Sequence, residues 1–162
     1  MARGPSPSVS IRPSTAQDAE VVAELAAEFG DYLRALGDRH PGQITEAQYR
    51  ADASGPEPAL SGLIGALGGE PVGYLLYCHG YDLDLGGRML WVVDLFVRES
   101  ARQQGVGRAL MQAAAERCRA AGGTHLAWTL YARNRLGRRF YQGLGAKSFE
   151  DLEFMHWRVA DG

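Results

Sequence analysis

The amino-acid sequence predicts an α+β (mixed α/β) fold with a central mixed, mostly antiparallel sheet of six to seven strands flanked by about four helices. Two observations lead to this prediction. Apolar segments over 60–67 and 72–79 surround the turn residues Gly68-Gly69-Glu70-Pro71, which is typical of an antiparallel hairpin. Farther along, a strand over 88–97 is followed by a glycine loop and a helix, and the chain then crosses over to a parallel strand at 125–130.

The remaining elements follow from local patterns. Val9 and Ile11 share one face of a short strand over 8–12. Thr15 and Asp18 form a capping-box-like start to the first helix. The other predicted elements are helices over about 15–36, 45–53 and 134–144, and one or two last strands over 149–159.

The first helix has one apolar and one acidic side. Its core-facing positions are Val21, Val22, Leu25, Phe29, Leu33 and Leu36. The other side carries Glu20, Glu24, Glu28 and Asp31. This acidic stripe is either a solvated face or a negative wall that attracts a cationic amine.

Composition limits the function classes. The chain has 162 residues with a formal net charge of −2, which fits one domain over 8–162 after a flexible tail over 1–7 and gives no basic footprint for nucleic acid. No apolar run reaches the roughly 18 residues that a membrane span needs. Cys78 and Cys118 lie far apart in apolar patterns, which favours reduced thiols in the cytoplasm. The four histidines lack metal-ligand spacing, so no metal is predicted.

The most informative stretch is the glycine loop, Arg102-Gln103-Gln104-Gly105-Val106-Gly107. It stands between an apolar strand and an amphipathic helix that Gly122-Gly123 ends. Glycines at 105 and 107 allow a ligand to approach the backbone, and successive N–H groups at a helix N-terminus bind anions. The ligand is therefore predicted to carry phosphate.

Two common phosphate-binding patterns do not fit this loop. A P-loop needs Lys-Ser/Thr after its second glycine, but Arg108-Ala109 follow Gly107. A dinucleotide fingerprint needs a third small residue where Leu110 stands. The pattern Arg/Gln-x-x-Gly-x-Gly/Ala is matched in full, and it resembles the pyrophosphate loop with which the GNAT superfamily of N-acetyltransferases binds coenzyme A.

A second motif supports the resemblance. Asn134 is followed after six residues by Tyr141 and then by Gly145-Ala146. In GNAT enzymes an Asn at this place contacts the pantetheine or phosphate arm of the cofactor, and a Tyr seven residues on points at its sulfur. The resemblance covers about 8–159 and implies acetyl-CoA as cosubstrate, a splayed parallel strand pair at the cofactor site and a homodimer.

The sequence is most similar to the diamine/polyamine (spermidine/spermine-type) branch of that superfamily. The similar stretches are 11–18, 93–107 and 140–146. At two places this sequence lacks an acidic residue that the branch usually has near the substrate. Val93 stands where the branch usually has a Glu, its proposed base, and Ala132-Arg133 stand where it usually has Asp-Trp. The acceptor amine is therefore left open.

The resemblance assigns roles to particular residues. The oxyanion donor is a backbone N–H in the stretch Leu95, Phe96, Val97, where a bulge splays the strand. Backbone N–H groups of Gln103, Gln104, Gly105, Val106 and Gly107 hold the pyrophosphate, with Arg102 and Arg108 adding positive charge. Tyr141 is the predicted general acid for the leaving thiolate, since a hydroxyl of pKa about 10 can protonate a thiolate whose conjugate acid has a pKa of about 8.5.

The general base stays undecided at this stage. Asp94 is the nearest carboxylate, but strand alternation puts it on the face opposite Val93, which favours a structural role. Tyr131, His79 or a water chain are the alternatives.

The predicted function is acetyl transfer from acetyl-CoA to a small primary amine by direct attack in a ternary complex. A non-catalytic acyl-CoA sensor, a protein N-terminal or lysine acetyltransferase, and a nucleotide-binding loop are the alternatives.

Overall fold

The computed structural model describes residues 7–159, and the chain divides into two compact units, Met1–Trp128 and Thr129–Gly162. The first unit contains a sheet with helices on both faces, and the second contains a single α-helix in its described part. The flexible tail predicted over residues 1–7 lies outside the described residues, apart from exposed Pro7.

The sheet has five strands in the order β1-β2-β3-β4-β5, antiparallel except for the last pair. The strands are β1 (Val9–Pro13), β2 (Ser61–Leu67), β3 (Glu70–Asp82), β4 (Gly87–Val97) and β5 (His125–Ala127). The helices are α1 (Ala19–Ala35), α2 (Glu46–Asp52), α3 (Val106–Ala120) and α4 (Arg135–Gln142). The predicted mixed α+β class is confirmed.

The predicted count of six to seven strands is wrong, because the described part of the chain contains five. The segment 149–159, predicted to supply the last strands, contains no strand, and its large apolar side chains are exposed. A strand needs a neighbour to satisfy its backbone groups. The described part of the second unit offers only α4. Prediction from the apolar pattern alone therefore overestimated the number of strands in the sheet.

Helices cover both faces of the sheet in the first unit. On one face, buried residues of α1 and α2 form a cluster with Ile64, Tyr74, Leu76 and Phe96 of the strands. On the other face α3 packs so closely on β2 that a Cβ atom on Gly65 would lie 2.7 Å from Val106 Cγ1. The glycine therefore lets the start of α3 approach the sheet.

Strand β4 changes its pairing near its middle. Its register with β3 shifts so that Leu76 faces Asp94 and Tyr77 faces Val92, which leaves Val93 as the extra residue of a β-bulge. On its other edge, β4 pairs with β5 only through Met89, Leu90 and Trp91. In the described chain no strand pairs with that edge over 92–97. The predicted splayed parallel pair is thus present.

No helix within residues 7–159 is long and apolar enough to cross a bilayer. Within the same range, no three His, Cys, Asp or Glu side chains lie together as a group that could hold a metal ion. Cys78 and Cys118 are both free thiols.

Candidate functional site

The glycine loop connects β4 to α3 and presents unpaired backbone donors. Gly105 is the N-cap residue of α3 with φ +90°, a conformation that favours glycine. Within the described residues, the N–H groups of Gln103, Gln104 and Gly105 donate to no backbone or side-chain acceptor. A Cβ atom at Gly105 would meet nothing within 4 Å. These donors and this open space fit a pyrophosphate group placed at the helix N-terminus.

The loop backbone is held in an unusual conformation. Gln103 has φ +62° and is the one non-glycine residue with positive φ in the described chain. The side-chain amide of Gln104 donates to the Ser100 carbonyl at 3.1 Å. Val106 is buried, so its side chain anchors the first turn of α3 in the core while the loop stays at the surface. Gly107 is half-buried and Arg108 is exposed.

Arg102 ties the loop to the end of β4 and to α1. Its Nε donates to the Val97 carbonyl at 3.1 Å. Its guanidinium carbon lies 5.0 Å from the centre of the Tyr32 ring and 5.9 Å from that of Phe96. Such cation–π contacts contribute about 0.5–2 kcal/mol. The predicted phosphate residue therefore also positions the loop against β4.

Leu95, Phe96 and Val97 lie on the part of β4 that has no strand partner on the β5 side. Their opposite edge pairs with Leu75, Tyr74 and Gly73 of β3. Because N–H groups alternate between the two edges of a strand, part of this stretch presents donors away from β3. The structure thus brings the predicted oxyanion stretch and the glycine loop together in one unit.

Asp94 lies on the face of the sheet that α1 covers, and Val93 is exposed. The Tyr74 hydroxyl donates to Asp94 Oδ2 at 3.2 Å. Burial raises the pKa of Asp94 to about 6, and the hydrogen bond from Tyr74 opposes this rise. Burial and the neighbouring carboxylate raise the pKa of Tyr74 well above its usual value, so Tyr74 stays a donor.

The other two candidate bases lie elsewhere. His79 is exposed on β3, where it faces Leu90, three residues along β3 from the position that faces Asp94. Its ring lies edge-on to Tyr77 with centroids 6.3 Å apart. Tyr131 is exposed in the second unit, with the Arg133 guanidinium 5.6 Å from its ring centre.

Two of the four acids on α1 are engaged in ion pairs with the end of β4. Arg98 donates from Nε to Glu28 at 2.8 Å and from a second nitrogen to Glu24. Asp31 lies 3.4 Å from Arg34 of the same helix. These pairs neutralise much of the stripe and fasten α1 to β4.

In the second unit, Asn134 is the N-cap of α4. It is buried, and its Oδ1 accepts from the Gly137 N–H at 2.8 Å. Tyr141 lies in the last turn of α4, half-buried, and its ring is 5.1 Å from that of Phe140. The spacing of the second motif therefore corresponds to one helix: Asn134 caps its N-terminus, and Tyr141 lies two turns farther along it.

Tyr74 is the site residue that sequence reasoning missed. It is a fully buried Tyr within an apolar strand, and a buried hydroxyl needs a partner. Tyr74 faces Phe96, which makes it a diagonal cross-strand neighbour of Asp94. A Tyr and an Asp on adjacent apolar strands were the available signal, but their meeting depends on the register.

Comparison with known proteins shows the family to which the chain belongs. The profile of the acetyltransferase (GNAT) family matches residues 22–146. A thialysine N-epsilon-acetyltransferase from Bos taurus is 29% identical over 156 residues, which cover 91% of this chain and 89% of the relative. An L-ornithine N5-acetyltransferase from Arabidopsis thaliana is 28% identical over 87 residues, or 54% of this chain and 36% of the relative.

The fold has a close counterpart among solved structures. The crystal structure of a mutant Bacillus halodurans protein matches with a TM-score of 0.75 at 20% identity, covering 93% of this chain and 99% of that one. At this level of identity the match supports the fold alone.

The fold and the family profile define an acyltransferase. The chain belongs to the GNAT acetyltransferase family. It is an acetyl-CoA-dependent N-acetyltransferase, and the predicted similarity to the diamine branch is confirmed.

Replacing Gly105 by Ala tests the loop as the cofactor site. Because Gly105 has φ +90°, the substitution adds backbone strain and puts a methyl group into the space facing the loop. Gly55→Ala is the matched control, since Gly55 has φ +92° and equally open surroundings. By calorimetry, coenzyme A affinity is expected to fall at least about tenfold, or 1.4 kcal/mol, for Gly105→Ala only. An equal affinity in both variants would place the pyrophosphate elsewhere.

Proposed function

We propose that this enzyme transfers the acetyl group of acetyl-CoA to the primary amine of a small molecule by direct attack in a ternary complex. The observation that carries the proposal is the unpaired edge of β4 over 92–97 beside the unpaired N–H groups of the glycine loop. A thioester on that edge and a pyrophosphate in the loop would be held by neighbouring parts of the first compact unit.

The glycine loop positions the cofactor in this proposal. Backbone N–H groups of Gln103 to Gly107 hold the pyrophosphate, and the exposed Arg108 and the half-buried Arg102 add positive charge. Binding energy from this remote group fixes the thioester relative to the amine, which lowers the entropic part of the barrier. An N–H group within Leu95 to Val97 then stabilises the tetrahedral oxyanion.

Residues of α4 complete the proposed machinery. Asn134 contacts the pantetheine arm, and Tyr141 protonates the departing thiolate. Supporting this assignment, the Asn134 side chain caps α4 and so holds a fixed orientation, and Tyr141 is half-buried on the same helix. The family match over 22–146 spans both compact units, which supports one acetyltransferase domain over 8–162.

The proposed acceptor is an aliphatic primary amine on a small amino-acid-like molecule or a diamine. The relatives that match over most or about half of the chain are named for thialysine and ornithine, and both molecules carry such an amine. A long polyamine is less well supported, because Val93 and Ala132-Arg133 bring no negative charge to the site. A homodimer in the cytoplasm is proposed from the family resemblance and the two free thiols.

An amine panel tests this function. Wild-type protein with acetyl-CoA is offered thialysine, ornithine, lysine, putrescine, spermidine and peptides with a free N-terminus or an internal lysine, and release of free thiol is recorded. We expect thiol release to depend on one of the small amino acids or the diamine.

The remaining outcomes distinguish the alternatives. Turnover of the peptides alone would indicate a protein acetyltransferase. Binding of acetyl-CoA without turnover of any amine would indicate a sensor. A rise in melting temperature with ATP or NAD but not with coenzyme A would contradict the cofactor assignment itself.

Tyr141→Phe tests the general acid. Loss of the hydroxyl removes the proton donor but keeps the ring, so turnover is expected to fall at least about tenfold while coenzyme A affinity stays close to that of the wild type. Tyr81→Phe, which removes the hydroxyl of an exposed residue on β3, is the control and is expected to leave both quantities unchanged. Unchanged turnover in Tyr141→Phe would remove Tyr141 from the mechanism.

A further inference from the structure

We propose that Asp94, oriented by Tyr74, is the general base that takes the proton from the acceptor ammonium. The inference rests on the proposed function, since it assigns a role in amine acetylation. It also explains how the enzyme works without a carboxylate at Val93.

The bulge at Val93 places Asp94 at the start of the unpaired edge of β4. Asp94 faces Leu76 on β3, and Leu95, the first residue of the proposed oxyanion stretch, follows it directly. The carboxylate therefore stands one residue from backbone donors that would hold the thioester oxygen. If those donors hold the thioester oxygen, a base in this position would lie near the carbon that the amine attacks.

Tyr74 holds the carboxylate without neutralising it. Its ring is fully buried, and its hydroxyl donates to Asp94 Oδ2 at 3.2 Å. A tyrosine whose pKa is raised well above its usual value carries no charge at physiological pH. Tyr74 is thus a positioning residue, since it restricts the carboxylate through one oxygen.

The second carboxylate oxygen is available to a ligand. Asp94 Oδ1 has no hydrogen-bond partner within residues 7–159, and no fully buried side-chain oxygen in that range lacks a partner. Oδ1 must therefore retain contact with solvent. An ammonium group, or a water molecule bound to one, can reach it from there.

The charges around Asp94 suit a base. Tyr74 from β3 is the titratable group that acts on the carboxylate. From the helices, the packed cluster contributes apolar residues and Tyr32 of α1 and, from α2, Tyr49, whose hydroxyl bonds to Ser14. The Arg102 guanidinium lies over the rings of Tyr32 and Phe96. Arg98, four residues after Asp94, is engaged by Glu24 and Glu28. In the described residues, no cation forms an ion pair with Asp94.

Burial raises the pKa of Asp94 to about 6. A carboxyl group of this pKa is ionised at pH 7 and accepts a proton more readily than an exposed aspartate of pKa about 3.9. The negative charge also favours binding of the acceptor as an ammonium ion. A structural aspartate would be expected to pair with a cation or with several donors, but Asp94 has one neutral donor.

The ammonium gives one proton to Asp94 Oδ1, directly or through one water molecule. The freed nitrogen lone pair attacks the thioester carbon, which forms the N–C bond and a tetrahedral oxyanion. When this intermediate collapses, the C–S bond breaks and Tyr141 gives its proton to the departing sulfur. The second nitrogen proton passes to solvent, from which the Tyr141 hydroxyl is restored, and Asp94 returns its proton to solvent. The net products are the acetamide, coenzyme A thiol and one proton.

The test is the pH dependence of kcat/KM for the amine at saturating acetyl-CoA, which reports the pKa of the base before the amine binds. For the wild type, kcat/KM is expected to fall with unit slope below about pH 6, because the base must be ionised, and this fall is the acidic limb of the profile. Asp94→Asn keeps the shape but cannot accept the proton, so kcat is expected to drop about 10²–10⁴-fold and the acidic limb to vanish.

Further variants separate a catalytic role from a structural one. Tyr74→Phe removes a hydrogen bond that lowers the pKa of Asp94, so the acidic limb moves to higher pH. Asp94→Glu restores a carboxylate and should recover activity relative to Asp94→Asn. Asp18→Asn is the control. Asp18 is also a buried acid, but its hydrogen bond with Arg12 lowers the pKa of Asp18 to about 2. This variant should keep the acidic limb of the wild-type pH profile. The melting temperature and the coenzyme A affinity of each variant are measured to check that it is folded.

The outcomes separate this inference from the function on which it rests. A wild-type enzyme that turns over amines, with an Asp94→Asn variant that keeps the acidic limb and more than about a tenth of the rate, overturns the role of Asp94 alone. Absence of turnover on every amine of the panel overturns the function, and the inference with it. An acidic limb that stays in place in Tyr74→Phe contradicts the positioning role of Tyr74.

Discussion

The separation of β5 from β4 after Trp91 is the constraint on which the site depends. Three residue pairs join the two strands, and within residues 7–159 the stretch 92–97 of β4 then has a strand partner on its β3 side only. Backbone groups left unpaired in a packed protein need another partner. A coenzyme arm lying along this edge would supply acceptors and donors in place of a strand, and we propose that the cofactor is recognised in this way.

Several contacts keep this opening in place. The bulge at Val93 increases the local twist of β4 just where β5 departs. Arg102 joins the glycine loop to the Val97 carbonyl and to the ring of Tyr32 on α1. Arg98 joins the end of β4 to the acids of α1. The proposed oxyanion stretch, the glycine loop and the helix that covers Asp94 are therefore joined to one another within the first unit.

Local patterns were sufficient for most of the fold. Alternation, the hairpin turn, the capping-box-like start at Thr15 and the glycine loop predicted four helices and five of the strands close to their observed bounds. The segment 149–159 was predicted wrongly, because alternating apolar residues indicate a strand only if a neighbour exists to pair with it. In the candidate site, the place of the glycine loop between β4 and α3 was predictable, because its glycines and the flanking strand and helix patterns are local features. Tyr74 was not, because its contact with Asp94 depends on the register of β3 and β4.

The central claim is that acetyl-CoA binds along the open edge of β4 with its pyrophosphate in the glycine loop. Amide hydrogen exchange with and without acetyl-CoA measures this directly, because exchange slows where an N–H acquires an acceptor. We predict slower exchange for amides within Leu95 to Val97 and Gln103 to Gly107, and no change in β1 (Val9–Pro13). Slower exchange in β1 with no change along β4 and the loop would contradict the account.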